Sequence, residues 1–204
     1  MRSTLLPRLI LASASPRRLE MLARVGLDPE VRPSHLDESL HDGEEPLAYA
    51  RRLAAAKARA ISAPEDRPVL AADTIVTVED GGVPVLGKPK DADDARKMLQ
   101  RLSGRSHSVV TAYHLLYKGG ERGRAVETVV TFRALGPAEL EGYVGSREWD
   151  GKAGGYAIQG LAGAFVRTVH GSYTNVVGLP LCEVLEDLDA LGALPADWTL
   201  GSPT

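Results

Sequence analysis

The chain has 204 residues, 44% hydrophobic and 25% charged, the make-up of a globular protein with room for a substantial core. Its 24 lysines and arginines against 27 aspartates and glutamates leave a formal charge of -3, so no global basic field exists to hold a nucleic acid or an anionic membrane. The single cysteine, Cys182, excludes an internal disulfide and a thiolate zinc cluster, fits a reducing compartment and reads as a buried structural thiol.

Arg2 followed by an apolar stretch up to Ala12-Ser13-Ala14 superficially resembles a signal peptide with its cleavage site, but Pro7 and Arg8 break that stretch. No other run approaches the roughly 20 apolar residues of a membrane helix, and a cytoplasmic protein without a membrane partner is expected. Leu9 to Ala12 reads as a short buried strand and Pro16 to Val25 as a helix closed by Gly26. Pro46 to Ser62 is a second helix, rich in Ala and Leu, and Val69 to Val78 a second buried strand with a turn over Glu79 to Pro84. Asp91 can cap a helix that runs to Leu102 and stops at Ser103-Gly104. Val109 to Tyr117 and Val126 to Phe132 predict a hairpin around Gly119-Gly120.

Residues 151–178 hold seven of the 21 glycines, for tight turns or close backbone approach. A last helix covers Pro180 to Leu191, and the tail from Gly192 to Thr204 is expected to be loosely held. No period of about 20 to 50 residues recurs, which argues against a solenoid or propeller. Strands alternating with helices predict a mixed α/β sheet in one domain over residues 1–191.

The chemistry begins at Ser13-Ala14-Ser15-Pro16-Arg17-Arg18, where a strand passes into a helix. Ser15 is a natural N-cap and Pro16 a natural first residue, so the helix start offers backbone N–H groups to an anion. Cations in a first turn oppose the macrodipole by roughly 0.3 to 1 kcal/mol each, so Arg17 and Arg18 are either solvated or held there for an anion. Ala50, Ala54, Lys57 and Ile61 share one helical face, which turns Lys57 toward the apolar side, where it needs a partner or a snorkelling route. Asp73 interrupts the apolar strand, and a carboxylate there is costly unless it is paired or bound to metal.

Gly87-Lys88-Pro89 places a lysine in a constrained turn, suited to a phosphate or to solvent. His35, Asp37 and Glu38 form an acidic, turn-like stretch whose oxygens suit a hard cation, unless they are only solvated. His107 and His170 lack metal-ligand spacing and read as structural. No HExxH, GxSxG or Walker lysine motif occurs, so zincin, serine hydrolase and P-loop chemistry are set aside.

Taken in order, these segments resemble the Maf family of nucleoside triphosphate pyrophosphatases. The pieces are Leu11 to Arg18, Asp37-Glu38, Lys57-Ala58, Ala72-Asp73-Thr74, Leu86 to Pro89, Leu102-Ser103-Gly104, Gly151 to Gly160, Gly171-Ser172-Tyr173 and Asn175 to Pro180. The resemblance implies a two-lobed α/β fold, with a central cleft around an elongated mixed sheet flanked by helices, and a homodimer. It implies that Asp73 is the general base and that Ser13, Arg17, Arg18, Lys57 and Lys88 bind phosphates. It further implies that Glu38, with Asp73, holds Mg²⁺ or Mn²⁺, although the neighbouring Asp37 is a rival for that role. Arg17, Thr74 and Gln159 together resemble the subgroup acting on dTTP and UTP, with Gln159 reading the base. A nucleotide-binding regulator of cell division without turnover is the alternative.

Overall fold

The computed structural model describes residues 8–34, 36–61, 67–81, 85–195 and 198. The apolar run at Leu9 to Ala12 carries strand β1 (Ile10–Leu11), followed by helix α1 (Pro16–Arg24) and strand β2 (Glu30–Val31). Helix α2 (Pro46–Ile61) leads to β3 (Val69–Thr77). β1 runs parallel to both β2 and β3, with Ile10 opposite Glu30 and Val69. Parallel neighbours need a crossover, and α1 and α2 supply it. β4 (Val85–Leu86), α3 (Ala92–Leu102), β5 (Ser106–Tyr117), β6 (Gly120–Phe132), α4 (Pro137–Ser146), β7 (Val166–His170), α5 (Tyr173–Val177) and α6 (Leu181–Ala190) follow. The seven-stranded sheet has the order β2-β1-β3-β5-β6-β7, with β4 antiparallel on β3, so the expected mixed α/β class is the one adopted. Among the described residues, no helix is long and apolar enough to cross a membrane.

The chain divides into two compact units: residues 1–73, 112–125 and 178–204, and residues 74–111 and 126–177. In the first, Ala58 of α2 packs with Ile10, Ala12, Val69 and Ala71 of the sheet. Its small side chain lets the helix lie close to the strands, and the buried stripe Ala50, Leu53, Ala54, Lys57, Ala58 carries a lysine inward among alanines. Tyr113 and Arg124 both bond to the buried Asp187 of α6 at 2.6 Å. Trp198 donates its indole N–H to Val25 O at 2.9 Å.

The second unit has an aromatic core. The Phe132 ring stands edge-on to Tyr156 at 4.9 Å and to Phe165 at 6.0 Å, among Leu99, Leu102, Val130 and Trp149. Asp91 caps α3 as expected, its carboxylate accepting from Asp94 N at 2.8 Å. Gly154 has φ 70°, and a Cβ there would meet Val76 Cγ2 at 3.0 Å, so this glycine serves both a left-handed turn and a close approach.

Two expectations change, and one helix comes in addition to those expected. The hairpin turn is Lys118-Gly119, with φ of 48° and 78°, and β6 starts at Gly120 rather than Val126. Its first residues are exposed and polar, so no alternation marked them as strand. Residues 133–150 carry α4, whose glycines, Gly142 and Gly145, depress helix propensity. The signal available was Pro137 after Gly136 with Glu139 three residues on, and Glu139 Oε2 does accept from Gly136 N at 2.9 Å. Cys182 is exposed rather than buried, because it sits in the first turn of α6 on the face opposite Val184 and Leu188, with Glu186 3.8 Å from its sulfur. The residues up to Pro7, His35, Ser62 and the end of the turn at Pro84 lie outside the described residues.

Candidate active site

In the first unit, the end of β1 runs through Ala12 and Ser13 into α1. Ser15 takes the N-cap position, but its side chain makes no cap bond; Ser13 Oγ accepts from Ser15 N at 3.2 Å instead. Arg18 then turns back over this junction. Its Nη1 donates to Ser13 Oγ at 2.9 Å and to Ala72 O at 2.7 Å, and its Nε to Gly178 O at 2.8 Å. A guanidinium that bonds two backbone carbonyls and a buried hydroxyl is no solvated surface charge. Burial pushes its pKa down to about 10, Asp73 pulls it up, Arg17 lowers it further and Glu38 raises it. Arg17 alongside is half-buried, and desolvation lowers its pKa against the pull of Glu20.

The strand residue after Ala72 is Asp73, 9% exposed, and Lys57 of α2 is 7% exposed. Their burial is mutual compensation: Lys57 Nζ lies 2.7 Å from Asp73 Oδ1. The same ammonium lies 2.7 Å from Glu38 Oε1, so two carboxylates converge on one cation. Asp37 does not take part. Its Oδ1 accepts from Ser39 N at 2.9 Å, a bond that lowers its pKa and leaves Glu38 as the acid that reaches Lys57. Tyr49 Oη donates to Glu38 O at 2.7 Å, and Arg52 Nη2 to Ser39 O at 3.1 Å, so α2 also holds the loop that carries Glu38.

Among the described residues no group of three or more His, Cys, Asp or Glu side chains could hold a metal ion. Glu38 and Asp73 are nevertheless hard oxygen donors already gathered about one positive charge. That pair suits Mg²⁺ or Mn²⁺, ions commonly held by one or two carboxylates together with substrate phosphates.

Thr74, Lys88 and Gln159 belong to the second unit. Thr74 is half-buried in β3, with Oγ1 2.9 Å from Thr111 Oγ1. Lys88 is exposed between β4 and α3, in a strap whose Gly87 O accepts from Gly154 N at 3.0 Å. Gln159 is exposed in the turn before Gly160, beside Ala157, whose N–H is held by Tyr143 Oη at 3.0 Å. His107 is buried and structural as expected, its Nε2 2.8 Å from Tyr156 Oη.

Sequence reasoning assigned no role to Tyr49, Thr111 or Asn175. A signal existed for Asn175, an amide beside Val176-Val177, as for the carboxylate inside the strand at Asp73. Tyr49 bonds through a backbone carbonyl, which leaves no trace in residue type.

Residues 8–191 match the Maf-like protein family. A dTTP/UTP pyrophosphatase of Anaeromyxobacter sp. strain Fw109-5 is 51% identical over 197 residues, covering 94% of this chain and 92% of that protein. Another, from Anaeromyxobacter dehalogenans, is 52% identical over 196 residues, covering 94% and 97%. A solved nucleoside-triphosphatase / dITP/XTP pyrophosphatase of Mycobacterium abscessus is 17% identical with a TM-score of 0.44, covering 93% of this chain and 99% of that one, a likeness too remote to add weight. With the match spanning nearly all of the described chain and half of the aligned positions identical, the chain belongs to the Maf-like protein family.

Proposed function

We propose that the chain is a nucleoside triphosphate pyrophosphatase that hydrolyses dTTP, UTP and modified pyrimidine triphosphates to the monophosphate and pyrophosphate. The observation that carries this reading is the buried ammonium of Lys57, 2.7 Å from both Glu38 and Asp73, on relatives named dTTP/UTP pyrophosphatase at 51–52% identity. A passive nucleotide binder gains nothing from two carboxylates beside a polyanion unless metal is bound there.

Arg17, Arg18, Lys57 and Lys88 supply positive charge for a triphosphate that brings about four negative charges, and that charge grows in the transition state. Ser13, which accepts from Arg18, orients that guanidinium and offers its hydroxyl to a phosphate oxygen. Lys57 fixes Asp73 through Oδ1, so the carboxylate is aimed before substrate arrives. Asp73 takes a proton from the attacking water as the water oxygen bonds to the α-phosphorus, and the bond from that phosphorus to the bridging oxygen breaks, so that pyrophosphate leaves intact. Glu38 and Asp73 are the residues that would hold Mg²⁺ or Mn²⁺, which when bound neutralises phosphate charge and acidifies water. Thr74 and Gln159 meet the base, the amide of Gln159 having both a donor and an acceptor for a pyrimidine edge.

The test is product identity. The protein, a panel of triphosphates and Mg²⁺ should yield monophosphate and pyrophosphate, fastest with dTTP and UTP, and a chelator should stop the reaction. Diphosphate and orthophosphate, binding without turnover, or faster hydrolysis of 7-methyl-GTP would refute the reading.

A further inference from the structure

Residues 36–43 lie between β2 and α2, and all of them are exposed, Leu36 at 38% and Leu40 at 47% included. Apolar burial therefore does not anchor the stretch that carries Glu38, and hydrogen bonds have to hold it. Helix α2 supplies them. Tyr49 Oη donates to Glu38 O at 2.7 Å, and Arg52 Nη2 donates to Ser39 O at 3.1 Å. The same guanidinium makes a two-point pair with Glu44, Nε to Oε1 at 2.6 Å and Nη2 to Oε2 at 2.7 Å, and lies 5.5 Å from the centre of the Tyr49 ring. Glu44 in turn accepts from His41 N at 3.2 Å, so the stretch is tied to one arginine near both of its ends.

Tyr49, Leu53 and Lys57 follow at steps of four and lie on one side of α2, with Tyr49 and Lys57 about two turns apart. The tyrosine holds the main chain of Glu38, and the lysine, 2.7 Å from Oε1, holds its carboxylate. Burial raises the pKa of Tyr49, and Asp73 and Glu38 raise it further, so the phenol keeps its proton and stays a donor. A glutamate on a loosely held loop would lose backbone and side-chain freedom each time it took up a cation. One held at both points has lost that freedom beforehand.

We propose that Tyr49 and Arg52 are positioning residues, which hold the carbonyls of Glu38 and Ser39 so that the Glu38 carboxylate is aimed at a divalent cation before substrate arrives. The inference rests on the reading that Glu38 takes part in holding that cation.

The test uses Tyr49→Phe, which removes only the hydroxyl and keeps the ring beside Arg52, and Arg52→Lys, which breaks the fork but keeps the charge. Neither changes the net charge, so a shift in cation use cannot come from a lost or gained charge. Two readouts are needed: amide hydrogen exchange of residues 39–44 without nucleotide or metal, and the free Mg²⁺ that gives half-maximal pyrophosphate release from UTP. In both variants exchange should quicken, and the Mg²⁺ requirement should rise about five- to tenfold, the weight of one hydrogen bond, while kcat at saturating Mg²⁺ stays within about twofold of the wild type. A role in folding alone would quicken exchange and leave the Mg²⁺ requirement where it was. A requirement within about twofold of the wild type in both variants, or unchanged exchange, would overturn the inference. Should one variant fail to fold, the other decides.

Glu38→Gln separates this failure from that of the reading beneath it. If it raises the Mg²⁺ requirement and Tyr49→Phe does not, only the positioning role falls. If Glu38→Gln leaves the requirement unchanged, the metal role of Glu38 falls and the inference with it. A wild type that releases no pyrophosphate would sink the proposed function and the inference together.

Discussion

Asp73 sits at 9% exposure inside an apolar strand, where its charge is tolerable because Lys57 reaches it from α2. Asp73→Asn keeps the shape and leaves Lys57 its bond to Glu38, so the fold should survive while kcat falls at least about a hundredfold. Steady-state kinetics beside a thermal melt measures both; activity within about tenfold of the wild type would remove Asp73 from the role of base. Lys57→Met does the opposite, leaving a buried carboxylate without its cation. That change should cost about 1 to 3 kcal/mol of stability, read from urea unfolding, as well as activity. The sequence showed both residues to be out of place on apolar faces, but each alone was compatible with a lone salt bridge or a snorkelling stem. In the structure Glu38 and Asp73 converge on the one ammonium.

At the scale of elements, local signals were strong wherever the chain itself closes a turn. Pro16 at the start of α1 and Asp91 ahead of α3 marked helix starts that the structure keeps, and Asp91 holds Asp94 N at 2.8 Å. Asp91→Ala should cost about 1 kcal/mol in a denaturant titration. Short α5 is the contrary case: five residues cannot form a stable helix alone, and Asn175 within it is bonded to Val109, Thr111 and Thr128, far away in sequence. Asn175→Ala strands three buried partners and should cost about 2 to 4 kcal/mol, more than the cap. The first half of strand β6 and all of helix α4 were hidden by exposed polar residues and glycines, whose propensities say little once neighbours in space decide.

For the whole molecule, His107 ties stability to pH. Burial lowers its pKa from 6.5 to about 4, so the folded protein binds this proton less readily than the unfolded chain does. Stability is then full above about pH 6.5 and drains as pH falls toward about 4, by up to about 3 kcal/mol. His107→Gln should flatten that slope in urea titrations at pH 7 and pH 5, and an unchanged slope would exclude His107 as its source. The pattern of apolar runs and helix starts by itself determined the α/β class and most element positions, because these depend on residues within a turn or two of one another. The ordered set of short segments from Leu11 to Pro180 likewise determined family membership. Only the tertiary structure decided that Glu38 rather than Asp37 reaches Lys57, and that Arg18 is bound to Ser13, Ala72 and Gly178. The contacts of Lys57 with Glu38 and of Arg18 with Ala72 and Gly178 join residues distant in sequence, and which acceptor lies within 3 Å is not encoded in residue type.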